Sequence, residues 1–326
     1  MKKQLILVFA LLSIAVTASA QKEYKLAKTS GHLILNIPGA IVEGYTGNEI
    51  VFSLPKGENE EVDERAKGLK VINGSGFTDN TGLGLDVSTK GDEITVNSVS
   101  KNSSFFYNSG NSLVTIKVPQ DIKVSFVNSS VSSQSDVVFK NLKNELEVST
   151  SYNKIKLENN TGPMNVKSLH GSIDAIFSGE MKGPVSIVSV YGYVDVALPV
   201  NTKANVELST NYGKLYAADG LKIAIEKQTE EKKDSNSPAK ISGSGANATA
   251  QALAPTKARS ISITGNTSAG TNVVYTNKSG DDTDIVIATG FTGRSGSSDT
   301  IKGKLNGGGT TLILKSNYKN VYLREK

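Results

Sequence analysis

The feature that most constrains this chain is a short phrase written five times. It reads "SYNKIKL", "LHGSIDA", "VYGYVDV", "NYGKLYA" and "NYKNVYL", around Tyr152, His170, Tyr191, Tyr212 and Tyr318. The first four of these positions are 18, 21 and 21 residues apart. Six residues before each stands an apolar side chain: Leu146, Met164, Val185, Val206 and Leu312. Four before stand Val148, Val166, Ile187, Leu208 and Leu314, and two before stand Thr150, Ser168, Ser189, Thr210 and Ser316. Three after stand Ile155, Ile173, Val194, Leu215 and Val321, and five after stand Leu157, Ala175, Val196, Ala217 and Leu323. The unit is a strand, a corner and a second strand, and a unit that recurs at this period buries its apolar face by stacking on its neighbours.

Strand side chains alternate with period two, yet the shared apolar set falls on even offsets before the aromatic and on odd offsets after it. The corner therefore absorbs a change of face. We place it just after the aromatic, at Asn153, Gly171, Gly192 and Gly213, because glycine and then asparagine best tolerate a left-handed bend. Lys319 breaks that pattern and suggests a relaxed terminal corner. Stacking in chain order would set Val148 beside Val166, Ile187 and Leu208, with the Ser/Thr positions forming a hydroxyl row. The expected fold is all-β, a β-solenoid with coils of about 18–21 residues stacked at roughly 4.8 Å. A sandwich is the other all-β reading, but a sandwich does not require equivalent positions to recur in register.

Other short alternating runs, such as "HLILNI", "NEIVFSL", "SLVTIKV" and "DIVIA", read as further coils or capping strands. A short helical turn is expected within residues 60–68. The stretch from Glu226 to Arg259 is rich in charge, Ser, Ala and Pro, and reads as a low-complexity insertion at a corner, about 226–259.

The chain opens with Lys2 and Lys3, an apolar run from Leu5 to Val16, and Ala18, Ser19 and Ala20 before Gln21. This is the pattern of a secretory signal peptide over residues 1–20, with cleavage expected after Ala20 and the solenoid domain occupying residues 21–326. No later run approaches the ~18 apolar residues of a membrane span. Cleavage would lower the formal charge from +5 to +3, with Lys and Arg dispersed among acids, so no nucleic-acid partner is expected. With no cysteine there is neither a disulfide framework nor a lipoprotein acyl anchor. The expected location is the periplasm, the cell surface or the medium.

Thiolate zinc sites are excluded by the absence of Cys, and His32 and His170 are the two histidines. His170 occupies a position filled by tyrosine in the other copies and reads as a corner side chain; His32 has no partner legible in the sequence. "GDDTD" brings together Asp281, Asp282 and Asp284, which would offer oxygens to Ca²⁺ or serve as a solvated turn. Glu60, Glu61, Asp63 and Glu64 read as a solvated face. No cofactor is implied. If Tyr152, His170, Tyr191, Tyr212 and Tyr318 point outward they form a platform for sugar rings or another protein; parity before the bend favours inward or corner placement.

The "SxYGxI" corners, the early "IPGAIVEGYTGNEIVF", the closing "GKLNGGGTTLILKSNYKNVYL" and the leader ending "ASAQ" resemble the putative adhesin family of exported Bacteroidota proteins. That resemblance implies a right-handed, single-stranded, β-helix-like solenoid and a non-enzymatic surface or periplasmic protein binding a protein or glycan along its face. It carries over no catalytic set. The different readings are a carbohydrate-active lyase or hydrolase built on a β-helix, and an envelope structural component.

Overall fold

The computed structural model describes residues 22–54, 64–99, 113–131, 134–226 and 299–326, together with the backbone of 275–279 and 282–286. The chain divides into two compact units, residues 227–297 forming the second. That second unit is described as one antiparallel hairpin, given below. The leader, and all of the 226–259 insertion after Glu226, lie outside the described residues. Among the described residues no helix is long and apolar enough to cross a membrane.

The first strands are β1 (Lys22–Leu26), β2 (Ser30–Asn36), β3 (Ala40–Tyr45) and β4 (Ile50–Leu54). A 3-10 turn at Glu64–Ala66 falls inside the expected helical stretch. Then come β5 (Leu85–Lys90), β6 (Glu93–Ser98), β7 (Thr115–Pro119), β8 (Asp121–Asn128) and β9 (Val137–Lys140). The repeat itself supplies β10 (Leu146–Thr150), β11 (Ile155–Glu158), β12 (Met164–Ser168), β13 (Ile173–Ile176), β14 (Val185–Ser189) and β15 (Val194–Leu198). It continues with β16 (Ala204–Thr210) and β17 (Leu215–Ala217), followed by β18 (Ile223–Ile225). The hairpin of the second unit is β19 (Tyr275–Ser279) and β20 (Asp282–Val286). The chain closes with β21 (Asp299–Leu305), β22 (Thr310–Ser316) and β23 (Val321–Glu325).

Two long sheets build the first unit, in a solenoid-like arrangement in which each coil gives one strand to each sheet. One sheet runs β1-β4-β7-β3-β9-β11-β13-β15-β23-β17, the other β18-β21-β16-β22-β14-β12-β10-β8-β2-β6-β5. The repeat offsets are the stacking register: Leu146 pairs with Met164 and Met164 with Val185, while Ile155 pairs with Ile173 and Ile173 with Val194. Both apolar rows point into one continuous core between the sheets, so each coil buries its aliphatic side chains against the coil before and after it. Near the N-terminal side this core is filled by Phe126 and Phe139, edge to face at 5.9 Å.

The order of coils is not the order of the chain. The C-terminal coil, β22–β23, sits between the β14–β15 coil and the β16–β17 coil, so the expected Ile187–Leu208 neighbours are separated by Leu314. The N-terminal coil, β2–β3, is likewise inserted, with β2 between β6 and β8 and β3 between β7 and β9. Because the five repeat copies carry the same apolar offsets, any of them can pack on any other, and chain order alone does not select the neighbour. Lys319 therefore lies in the interior of the stack and not at its end.

Antiparallel strands finish the stack. β1 and β4 close one end of the first sheet and β5 the same end of the second. At the other end β21 and then β18 extend the second sheet two strands beyond β16, whereas the first sheet stops at β17.

Candidate functional site

The corner is built by its hydroxyl residue. Ser189 Oγ accepts from the Gly192 N–H at 2.9 Å and donates to the Gly171 carbonyl at 2.9 Å, joining its own corner to the next. Ser316 Oγ does the same between the Lys319 N–H (3.1 Å) and the Gly192 carbonyl (2.8 Å). Thr210 Oγ1 accepts from the Gly213 N–H at 3.0 Å and donates to the Lys319 carbonyl at 3.0 Å. Ser168 Oγ accepts from the Gly171 N–H at 2.8 Å. All four hydroxyls are buried; Ser189, Ser316 and Thr210 each satisfy two backbone groups that the turn removes from the sheet ladders, and Ser168, which also accepts from Thr150 Oγ1 at 3.3 Å, satisfies one. Lys319 makes the same bonds as its glycine counterparts, so its corner is not relaxed.

This hydrogen-bonded turn places two consecutive residues outside before the chain re-enters the core. The change of face falls at the aromatic and the residue before it, one step earlier than parity alone suggested, and the aromatics consequently face outward. Gly171, Gly192 and Gly213 are not in left-handed backbone; among the described non-glycine residues that conformation occurs at Asn141, Asn159 and Asn306. The glycines are required by close approach instead. A Cβ on Gly192 would stand 2.3 Å from the Gly171 carbonyl oxygen, and one on Gly213 would stand 2.0 Å from that of Lys319.

Asn153 is not a substitute glycine either. It is buried, donates from Nδ2 to the carbonyls of Pro38 and Ser135, both at 2.6 Å, and accepts from Asn128 Nδ2 at 3.0 Å. It ties the first clear copy to the inserted N-terminal coil.

On the outside of the corners the five aromatics form one stack. Tyr152 and His170 lie 4.4 Å apart, His170 and Tyr191 4.7 Å, Tyr191 and Tyr318 4.7 Å, and Tyr318 and Tyr212 5.0 Å, with interplanar angles of 12° or less. The spacing is that of the strands beneath, because the N–H of each aromatic after the first binds a carbonyl of the coil below, as Tyr191 does to Leu169 at 2.8 Å and Tyr318 to Val190 at 2.9 Å. Ring faces are used against each other, so the ridge shows solvent its ring edges, phenol hydroxyls and one imidazole. Tyr191, covered on both faces, is 39% exposed, and Tyr212, at the end of the stack, is 66% exposed. Leu169 adds an exposed apolar side chain beside the ridge.

A second row lies on the outer face of the first sheet. Tyr216 stacks on Tyr322 at 5.2 Å, and Tyr193 meets Tyr322 edge to face. The Arg324 guanidinium covers the Tyr322 ring at 5.2 Å and binds both Asp195 oxygens through Nε, at 2.7 and 2.9 Å, which raises its pKa. Asp174 accepts from Tyr193 and pairs with Lys154 at 3.4 Å. Asp174 raises the Lys154 pKa, and burial followed by Asp174 raises that of Tyr193. This row is not among the sequence-derived candidates, although Tyr193, Tyr216 and Tyr322 stand two or four residues after their corner aromatics.

His32 has a partner. Its Nε2 lies 2.7 Å from Ser125 Oγ on the neighbouring strand, and burial lowers its pKa despite Glu145, Glu147 and Glu93. It is remote in sequence and strand order from His170. Of the acidic candidates, Asp282 and Asp284 belong to β20 in the second unit, in strand and not in a turn, while Asp281 and Glu60, Glu61 and Asp63 lie outside the described residues.

Fold and ridge together define an all-β repeat protein of solenoid-like coils carrying an aromatic corner stack. The chain belongs to the Toastrack DUF4097 family, whose model matches residues 23–249. A solved structure described as a putative cell adhesion protein from Clostridium sporogenes ATCC 15579 is similar at 12% identity and a TM-score of 0.35, over 94% of this chain and 100% of that one. No curated protein matches the chain.

Proposed function

We propose that this chain is an exported, non-enzymatic surface or periplasmic adhesin that binds an extended protein or glycan along its aromatic ridge. The observation that carries this reading is the outward-facing stack of Tyr152, His170, Tyr191, Tyr318 and Tyr212, of which Tyr318 is half-buried and the other four are exposed. Between its two end rings the stack satisfies its own faces and leaves no slot in which a sugar ring can lie flat against an aromatic. It offers a line of hydroxyl donors and electropositive ring edges at one strand spacing, which suits acceptors repeated along an extended chain lying parallel to the stack. The same reading takes the coil as right-handed and single-stranded and the chain as one of the exported Bacteroidota proteins of the resembled family.

The test is a glycan and protein-ligand array probed with the purified protein and with a variant carrying Tyr→Phe at 152, 191, 212 and 318. Phenylalanine keeps the stack and removes the hydroxyls. Binding that weakens at least tenfold in the variant supports the ridge; binding that is unchanged overturns it. A parallel lyase and hydrolase screen addresses the catalytic reading, and substrate turnover by the purified chain would overturn the binding-only proposal.

A further inference from the structure

The C-terminal end of the stack is stepped. The second sheet continues through β21 and β18 past the last coil, while β17 is, among the described strands, bonded on one side alone, to β23. Leu305 and Gly303 continue the core-facing row of Ala204 and Val206, and Ile223 and Ile225 lie opposite them on β18. Ile225 is nonetheless 62% exposed, because no strand of the first sheet stands across from it. Gly303 and Leu305 are already buried, with Leu221 in the same core, so the open apolar shelf is formed by Ile223 and Ile225 on the outermost strand above the exposed Ala217, with an overhang two strands long beside it.

The free edges of the shelf and the overhang match each other. The Lys214 carbonyl and the Ala218 N–H are bonded to β23, so the alternating backbone groups of Leu215 and Ala217 point to the open side. Glu226 N–H is bonded to Lys302 of β21 and the Lys222 carbonyl accepts from Asn306 just after it, so the backbone groups of Ile223 and Ile225 point outward from β18. We infer that two copies of this chain dock end to end through a two-fold axis lying between the sheets and along the strands, each overhang filling the other's shelf. β17 then pairs antiparallel with β18 of the second copy. Leu215 stands opposite Ile225 and Ala217 opposite Ile223, four backbone groups on each side are satisfied, and all four side chains face the core.

The register is also complementary in charge. It sets Lys214 of each copy opposite Glu226 of the other. A one-residue slip would turn Ile223 and Ile225 out of the core, so the pairing is specified by its apolar face as well. The N-terminal end offers no equivalent site: its edge strand β1 carries Lys22, Glu23 and Lys25 and is the kind of charged edge that resists pairing. An isologous interface of this kind closes at two copies and does not run on into fibres.

Sedimentation velocity of the purified protein tests the proposal, with a concentration-dependent dimer expected. Ile225→Pro removes an N–H that the monomer does not use, and should abolish the dimer while leaving the melting temperature within a few degrees. Lys214→Glu should weaken dimerisation at least tenfold, and adding Glu226→Lys should restore it. The chain has no cysteine, so mixing a Tyr216→Cys variant with an Ala224→Cys variant should give the mixed disulfide on mild oxidation. A protein that stays monomeric at every concentration, because its own residues or another protein fill the shelf, overturns the inference. So does a dimer that survives Ile225→Pro, or a disulfide that forms between two Tyr216→Cys chains in preference to the mixed pair.

Discussion

Tyr318 stacks between Tyr191 and Tyr212, at 4.7 and 5.0 Å, although it stands near the C-terminus, far beyond both in the chain. The contact reports the insertion of the C-terminal coil between two coils that are consecutive in sequence. Tyr318→Ala would remove two stacked pairs, each worth roughly 0.5–1.5 kcal/mol beyond area burial, and should destabilise by about 1–3 kcal/mol. Tyr318→Phe should cost much less. Urea denaturation of both variants checks this, and equal losses would show that the hydroxyl, not the stack, carries the energy.

Gly192 should be intolerant of any side chain even though its backbone is unstrained. Alanine would force a Cβ into the Gly171 carbonyl and the Ser172 nitrogen, backbone atoms with little room to shift, so a loss of about 3 kcal/mol is expected. Ser189→Ala, which strips the hydroxyl from the same corner, should cost about 1–3 kcal/mol by leaving a buried N–H and carbonyl unpaired. Thermal denaturation ranks the two; a neutral Gly192→Ala would refute close approach as the reason for the glycine.

Asn153→Gly tests the difference between the repeat pattern and the structure. The pattern makes it a change toward the common corner residue. The hydrogen bonds of Asn153 to Pro38, Ser135 and Asn128 make it a loss, expected at about 1–3 kcal/mol. A more stable variant would mean that the asparagine contributes nothing beyond turn chemistry.

Stability should fall as the pH drops below that of an ordinary histidine. Burial lowers the His32 pKa from 6.5, so between the unfolded and folded values the unfolded chain binds the extra proton. Stability is therefore fully present above pH 6.5 and is lost as pH falls toward the folded pKa. Denaturant midpoints from pH 7.5 to 5.5 should decline, and His32→Gln, which keeps a hydrogen-bonding group for Ser125, should flatten the slope. Glu207 acts lower on the scale: burial pushes its carboxyl up, but Lys315 and Lys302 outweigh it and hold the pKa below 4.5. Its contribution is present above that value and is lost in stronger acid.

Much of the fold was legible because the offsets of the repeat are themselves the register. Leu146, Met164 and Val185 share one row in the sequence and one row in the sheet. The hydroxyl row was legible for the same reason, though not its role in holding the corner. The direction of the aromatics was not, since parity fails wherever a side-chain hydrogen bond inserts two outward residues in succession. Nor was the His32–Ser125 pair, because its two residues lie on strands brought together by the N-terminal insertion.

By itself the sequence determined the coil: its period, its apolar rows and the placement of a small hydroxyl two residues before each corner, since these follow from local alternation and hydrogen-bonding chemistry. The tertiary structure alone decided which coil rests on which, and with it the five-ring stack and the stepped end. Equivalent apolar rows attract one another with nearly equal strength, so the order of stacking rests on particular contacts, such as Asn153 with Pro38 and Ser316 with Gly192, that join residues far apart in the chain.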